Sequence, residues 1–138
     1  MLKIIAGLKG SGKTKTLIEM VNKNAEESAG SVVCLEKGNA LMHEIKYHVR
    51  LLDTEEYGIV SAASLIGFIA GIYASNHDVT DIFVDSALKI CNNDVAAFAS
   101  LIEKVNAFAE QHAIHIVMTA SIASADLPEQ IKKFVIEH

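Results

Sequence analysis

Residues 7–14 read Gly7-Leu8-Lys9-Gly10-Ser11-Gly12-Lys13-Thr14 and say more about the architecture of this chain than any other segment. It matches G-x-x-x-x-G-K-[ST], the pattern of a glycine-rich loop that wraps around an anion. Glycines let the backbone turn closely, so that successive N–H groups can face phosphate oxygens. In such a loop the lysine reaches the terminal phosphates and the last hydroxyl is a ligand of Mg²⁺. The pattern therefore predicts that residues 7–14 bind the phosphates of a nucleotide, with Lys13 and Thr14 in those two roles.

The segments on either side have the character that such a loop requires. Residues 2–6 predict a short buried strand, and residues 15–21 belong to a helix that extends over about 13–27. The amino end of a helix carries partial positive charge, which favours a bound anion. The alternative is a glycine-rich turn that matches the pattern by chance, but the flanking strand and helix favour a nucleotide site.

Charge is distributed unevenly along the chain. Residues 1–25 contain five lysines and a single acidic residue, Glu19, giving +4, although the net charge of the whole chain is −5. A positive region around the loop suits a polyphosphate ligand, and we expect Lys9 and Lys15 to contribute to it. The overall negative charge argues against nucleic acid as a partner.

Strands and helices alternate along the rest of the chain. Further strands are predicted at 31–35 (ending at Glu36), 45–51, 81–85 and 114–119. Further helices are predicted at 61–75, at 94–112 and from Leu127-Pro128 onward. Asp126 is the expected N-cap of the last helix. This alternation predicts a three-layer α/β/α fold with a mostly parallel sheet of about five strands. We expect residues 1–138 to form a single nucleotide-binding domain.

The segment 45–51 is the least certain element of this assignment. Its apolar and basic side chains alternate, which favours a strand with one wet face at an edge of the sheet. A helix that buries Leu41, Ile45, Val49 and Leu52 is the alternative.

Composition indicates the class of protein. Hydrophobic residues make up 51% of the chain and the mean hydropathy is +0.30, as expected for a parallel sheet covered on both faces. Cys34 and Cys91 share no metal-ligand spacing and are predicted to be buried thiols of a reducing compartment. No cleavable signal precedes the glycine-rich loop, so we expect a cytoplasmic location.

Residues 57–77 contain no Asp, Glu, Lys or Arg. A helix of this length could span a bilayer, and Gly67 and Gly71 form a G-x-x-x-G pair. Several polar residues confine the continuous apolar part to 62–74, however, so no membrane insertion is expected. We predict a buried or interface helix with close packing at the two glycines, which could contact a second copy or another protein.

A second motif lies in the strand 82–84, which is hydrophobic and ends at Asp85. Burial of this strand places the carboxylate at the carboxyl end of the sheet, where ligands collect. Asp85 is therefore expected to hold Mg²⁺ opposite Thr14. The alternative is an ordinary aspartate that caps the turn after a strand.

With these two motifs the chain resembles the P-loop NTPases, more closely the branch with the RecA-like ATPases than the GTPases. It is also similar to short bacterial ATP-binding proteins. The resemblance implies binding of Mg-ATP, with slow hydrolysis to which Lys13 contributes. It also implies a glutamate that positions the attacking water. Several members carry it directly after the aspartate, where this chain has Ser86, whereas RecA-like members carry it at the end of a neighbouring strand, which corresponds to Glu36.

The resemblance further implies a polar residue that senses the terminal phosphate at the end of the strand 114–118. Thr119 or Ser121 matches that position, and capping of a turn is the alternative for both. The chain lacks the guanine-reading motif Asn-Lys-x-Asp, which favours ATP and leaves GTP open.

Two further functions stay open. One is a nucleotide-dependent switch or assembly subunit that uses residues 57–77 as its contact surface. The other is a small-molecule kinase, which is disfavoured because such enzymes carry an arginine-rich lid and this chain has one arginine, Arg50.

Overall fold

Six strands form one parallel sheet in the computed structural model, which describes residues 1–138. They are β1 (Leu2–Gly7), β2 (Ser31–Glu36), β3 (Arg50–Asp53), β4 (Val79–Val84), β5 (His115–Ser121) and β6 (Val135–Ile136). Their order across the sheet is β3-β2-β4-β5-β1-β6, and all neighbouring pairs are parallel. The prediction of about five strands missed β6, because two residues are too few to show an alternating pattern.

Five helices connect and cover these strands. They are α1 (Lys13–Glu27), α2 (Ala62–Ser75), α3 (Ala87–Ile90), α4 (Val95–His112) and α5 (Glu129–Lys132). The three long helices lie where periodicity predicts them, and α2 and α4 begin after the side-chain caps Ser61 and Asp94. The predicted N-cap of the last helix is wrong, because Asp126 lies in a separate 3-10 turn and Pro128 precedes α5 directly.

The layers follow from the alternation of side chains along the strands. Ile5 and Phe83 lie on one face of the sheet and pack with Leu17 of α1. Their strand neighbours Ile4 and Ile82 lie on the opposite face, in the larger cluster to which α2 and α4 contribute. Helices therefore cover both faces, which confirms the predicted three-layer α/β/α architecture.

Residues 41–49 differ from the prediction. No strand spans 45–51, because consecutive turns occupy most of 40–49 and β3 begins only at Arg50. The alternative helix is absent too: the Ile45 amide donates to the Leu41 carbonyl at 3.2 Å, but the turn does not continue. Leu41 and Ile45 are nevertheless buried beside α1. The two apolar residues, four positions apart, therefore belong to a single turn that packs against that helix. The edge position of the strand is confirmed, since β3 pairs only with β2.

The uncharged segment 57–77 forms α2 and its preceding turns. No helix in the structure is both long enough and apolar enough to cross a membrane. The predicted close packing at Gly67 and Gly71 is wrong within this chain: no atom comes within 4 Å of where a Cβ would stand on either residue.

Both cysteines are buried and free, as predicted. Burial raises the pKa of the Cys34 thiol to about 12, with a further contribution from the charge on Asp85. Burial likewise raises the pKa of Cys91 to about 11. Both side chains are therefore protonated thiols that pack as small apolar groups.

Candidate phosphate-binding cleft

The carboxyl ends of three central strands meet at one edge of the sheet. Strand β5 lies between β1 and β4, with Ile5 opposite Thr119 and Val84 opposite Met118. This register brings together the glycine-rich loop after β1, Asp85 after β4 and the end of β5, which are distant in the sequence. The carboxyl ends of parallel strands are where ligands of α/β proteins collect.

The loop between β1 and α1 adopts a conformation that requires glycine at two positions. Gly10 and Gly12 have φ of 85° and 89°, in the left-handed region that L side chains rarely adopt. Gly7 leaves space for Ser11, because a Cβ on Gly7 would collide with the Ser11 hydroxyl in its present position. The Ser11 amide donates to the Leu8 carbonyl at 3.1 Å and closes the loop, while the Leu8 side chain stays exposed.

The amino end of α1 presents backbone amides without acceptors. Thr16 is the first residue of this helix whose amide has an acceptor: it donates to the Gly12 carbonyl at 3.1 Å. The amides of Lys13, Thr14 and Lys15 have no acceptor in the chain, and no acidic residue lies in the first turn. These amides and the helix dipole together favour an anion. Lys13 is only 8% exposed, and its ammonium donates to the Leu8 carbonyl across the loop at 3.0 Å.

A hydrogen-bond network connects the three strand ends through one carboxylate. The Thr119 hydroxyl donates to Oδ1 of Asp85 at 2.7 Å, and the Thr14 hydroxyl donates to the same oxygen at 3.3 Å. The Ser86 amide in turn donates to the Thr119 hydroxyl at 2.7 Å. Oδ2 of Asp85 accepts no hydrogen bond, and the chain contains no buried side-chain polar atom without a partner, so this oxygen retains solvent contact. Asp85 therefore has one oxygen available beside a threonine hydroxyl.

This pair of oxygen donors fits Mg²⁺. Magnesium is commonly held by one or two carboxylates together with waters and substrate phosphates. A cage made of protein alone is absent: no group of three or more His, Cys, Asp or Glu side chains could hold a metal ion. Thr14 and Asp85 are accordingly the residues that would hold a magnesium ion bound to phosphates.

The chain turns sharply after Asp85. Ser86 lies in the left-handed region, with φ of 60°, and the short helix α3 begins directly after it. This turn carries Lys89 and Asn93 back towards the glycine-rich loop, where both line the same cleft.

The resulting cleft has a volume of about 520 Å³ and is lined entirely by non-hydrophobic residues. The lining residues are Lys9, Gly10, Gly12, Lys13, Thr14, Lys15, Ser86, Lys89, Asn93, Thr119 and Ser121. Most of the predicted phosphate-contacting residues line it, together with both candidates for the sensing position. Gly7, Leu8 and Ser11 belong to the loop without lining the cleft, and Asp85 does not line it but hydrogen-bonds Thr14 and Thr119, which do. Sequence analysis missed Lys89, Asn93 and the participation of Ser86; a lysine four residues after the strand-ending Asp85 was the only available signal.

Glu36, the candidate base, lies at the carboxyl end of β2 but does not line this cleft. It is 3% exposed, and its two carboxylate oxygens accept the amides of Ala40 at 2.9 Å and Leu41 at 3.0 Å. Burial raises the pKa of the Glu36 carboxyl; the two amide hydrogen bonds oppose this rise, and the charges on Asp85 and Asp53 add to it. Its carboxylate is thus engaged in holding the segment that follows β2.

No protein-family model matches this chain, and no curated protein sequence matches it.

Proposed function

We propose that this chain is a P-loop protein that binds a magnesium nucleoside triphosphate, ATP being the expected ligand, in the cleft described above. The observation that supports the proposal most directly is the meeting of two independent features. Acceptor-free amides at the amino end of α1 lie beside a carboxylate that hydrogen-bonds Thr14. The first feature suits phosphate oxygens, and the second suits the metal that accompanies them.

Each part of the ligand has a counterpart in the chain. The amides of residues 13–15 and the ammonium of Lys13 would contact the phosphates. The Thr14 hydroxyl and the Asp85 carboxylate would hold Mg²⁺, which supplies charge neutralisation of the phosphate chain. Thr119 hydrogen-bonds Asp85 and lines the cleft, so it could report the presence of a terminal phosphate to the metal site.

The proposal includes slow hydrolysis of ATP. No carboxylate lines the cleft, so no group is in place to accept a proton from an attacking water. Glu36 is the nearest candidate on the neighbouring strand, and to act as a base it would have to release the amides of Ala40 and Leu41. Slow turnover in a cytoplasmic protein is therefore what we expect, with the free thiols consistent with a reducing compartment.

Calorimetric titration with Mg-ATP tests this function. We expect wild-type protein to bind one equivalent and Lys13→Ala to bind at least about tenfold more weakly, because it loses a charged hydrogen bond to the phosphates. Lys104→Ala is the matched control, since Lys104 is an exposed lysine of α4 outside the cleft. The proposal fails if wild-type protein does not bind, or if Lys13→Ala binds as tightly as Lys104→Ala.

A second candidate function is nucleotide-dependent self-assembly, and one observation favours it. The exposed residues of α2 are all small and without charge, namely Ala63, Gly67, Gly71, Ala74 and Ser75. Open space surrounds the two glycines, so another helix could approach the backbone closely. Light scattering of eluted protein without nucleotide, with ADP and with a non-hydrolysable ATP analogue tests this function. A mass that is the same in all three states would contradict it.

A further inference from the structure

We infer that this cleft selects a polyphosphate chain and does not recognise a base. ATP, GTP and inorganic tripolyphosphate would then bind with nearly equal affinity. The inference rests on the proposed function and narrows it to a class of ligand.

The lining of the cleft provides the first argument. Sites that recognise a base generally offer an apolar or aromatic surface on which the ring can stack. None of the residues that line this cleft is hydrophobic, although the chain contains five phenylalanines and three tyrosines. Stacking on an aromatic side chain would strengthen binding by roughly 5- to 150-fold, and this cleft offers no such surface.

The charge of the cleft provides the second argument. Four lysines line it: Lys9, Lys13 and Lys15 come from the loop and the start of α1, and Lys89 comes from α3 across the cleft. No acidic residue lines the cleft, and the only two ion pairs in the chain involve Lys46 and Lys132. Four ammonium groups line one volume, and the carboxylate of Asp85 is the one that hydrogen-bonds residues of its lining. This surplus of positive charge favours a ligand with several negative charges close together.

Lys89 is the residue that extends this site beyond the glycine-rich loop. Its side chain is exposed and makes no ion pair, and it lies in α3, which begins after the left-handed turn at Ser86. Because both lysines line the cleft, a phosphate chain bound there could contact Lys13 and Lys89 together. Asn93 is the one lining residue whose amide could pair with the edge of a base, so it defines the alternative outcome.

Calorimetry with four ligands tests the inference, each in the presence of Mg²⁺: ATP, GTP, inorganic tripolyphosphate and adenosine. We expect the first three dissociation constants to agree within about threefold and adenosine not to bind. Tripolyphosphate should also displace ATP from the same site. If ATP binds more than about tenfold tighter than tripolyphosphate or GTP, the base contributes and the inference is wrong while the proposed function stands. If no phosphate compound binds, both are wrong.

Substitution of Lys89 provides a second readout. Lys89→Ala should weaken ATP and tripolyphosphate by the same factor, about three- to tenfold, since the lost contact is to phosphate in both. Lys89→Arg should retain most of the affinity, and Lys104→Ala should match wild type. A loss confined to ATP, or no loss with either ligand, would overturn the inference.

Discussion

At the scale of single residues, Asp85 carries the part of the site that is most specific. Its Oδ1 accepts hydrogen bonds from Thr14 and Thr119, while Oδ2 stays in contact with solvent. An aspartate that merely capped a turn would accept backbone amides near its own position in the sequence. The two donors here come instead from the first turn of α1 and from β5, so the carboxylate is oriented by elements that surround the cleft.

Replacing Asp85 with asparagine removes the negative charge of the side chain and keeps the oxygen that accepts the two threonine hydroxyls. The Oδ1 of asparagine can still accept both threonine hydroxyls, so we expect Asp85→Asn to fold normally. The neutral amide is a poor ligand of Mg²⁺, and the affinity for Mg-ATP should fall by at least about tenfold. Affinity for ATP in excess chelator should stay unchanged or increase, because the substitution removes a negative charge bonded to Thr14, close to the expected phosphate site. Calorimetry with and without Mg²⁺ measures both effects, and an equal loss under both conditions would contradict the metal role of Asp85.

Glu36 predicts a pH dependence of stability. Burial raises the pKa of its carboxyl above the ordinary value of 4.5. As the pH rises through 4.5, Glu36 therefore ionises in the unfolded chain first and stays protonated in the folded chain until the raised pKa is reached. Across that window the folded state binds more protons, so the free energy of unfolding falls with increasing pH and then levels off.

The control for this effect is Glu36→Gln, which removes titration at that position. The free energy of unfolding of wild type minus that of the variant, measured in urea at a series of pH values, should decrease as the pH rises above 4.5. Carboxylates that do not interact with Glu36 cancel in this difference, whereas Asp85 and Asp53, whose charges act on Glu36, contribute to it. A difference that is flat or increases with pH would show that the folded protein does not hold the Glu36 proton more tightly.

At the scale of helices and strands, long elements could be predicted from the sequence and very short ones could not. The helices α1 and α4 have 15 and 18 residues, enough for several repeats of the helical period. By contrast, α3 and β6 contain four and two residues, so neither has a repeat to detect. The turns around Ile45 were misassigned because a single buried turn and a longer element share the same apolar spacing. Their actual conformation depends on packing against α1 and on the hydrogen bonds to Glu36.

Glycines in two elements should respond to alanine in opposite ways. Gly67 and Gly71 lie inside α2 with open space around them, so Gly67→Ala or Gly71→Ala should raise the free energy of unfolding by about 0.5–1 kcal/mol. A Cβ on Gly30 would collide with the Asp78 carbonyl oxygen, which is fixed by the Ser31 amide. Gly30→Ala should therefore destabilise by about 1–3 kcal/mol. Urea unfolding measures all three, and destabilisation by Gly67→Ala would mean that another chain covers α2.

At the scale of the whole molecule, the cleft depends on the order of the strands. The meeting of the loop after β1, Asp85 after β4 and Thr119 in β5 was predictable, because each belongs to a short motif or to a strand end. The approach of Lys89 was not predictable, because it depends on a left-handed residue that is not glycine, Ser86. Backbone conformation of this kind is imposed by the hydrogen bond between Ser86 and Thr119, which exists only once β4 and β5 are paired.

Because β4, β5 and β1 are adjacent at the centre of the sheet, the site exists only while the whole sheet is folded. Ligand binding should therefore stabilise the molecule as one unit. At a Mg-ATP concentration of about 100 times the dissociation constant, the free energy of unfolding should increase by about 2.7 kcal/mol. The urea midpoint should rise with an unchanged slope, since the surface exposed on unfolding stays the same. Lys13→Ala, which binds at least about tenfold more weakly, should gain no more than about 1.4 kcal/mol at the same concentration. A transition that splits into two steps with ligand would contradict this prediction, because part of the sheet would then unfold while the cleft persists.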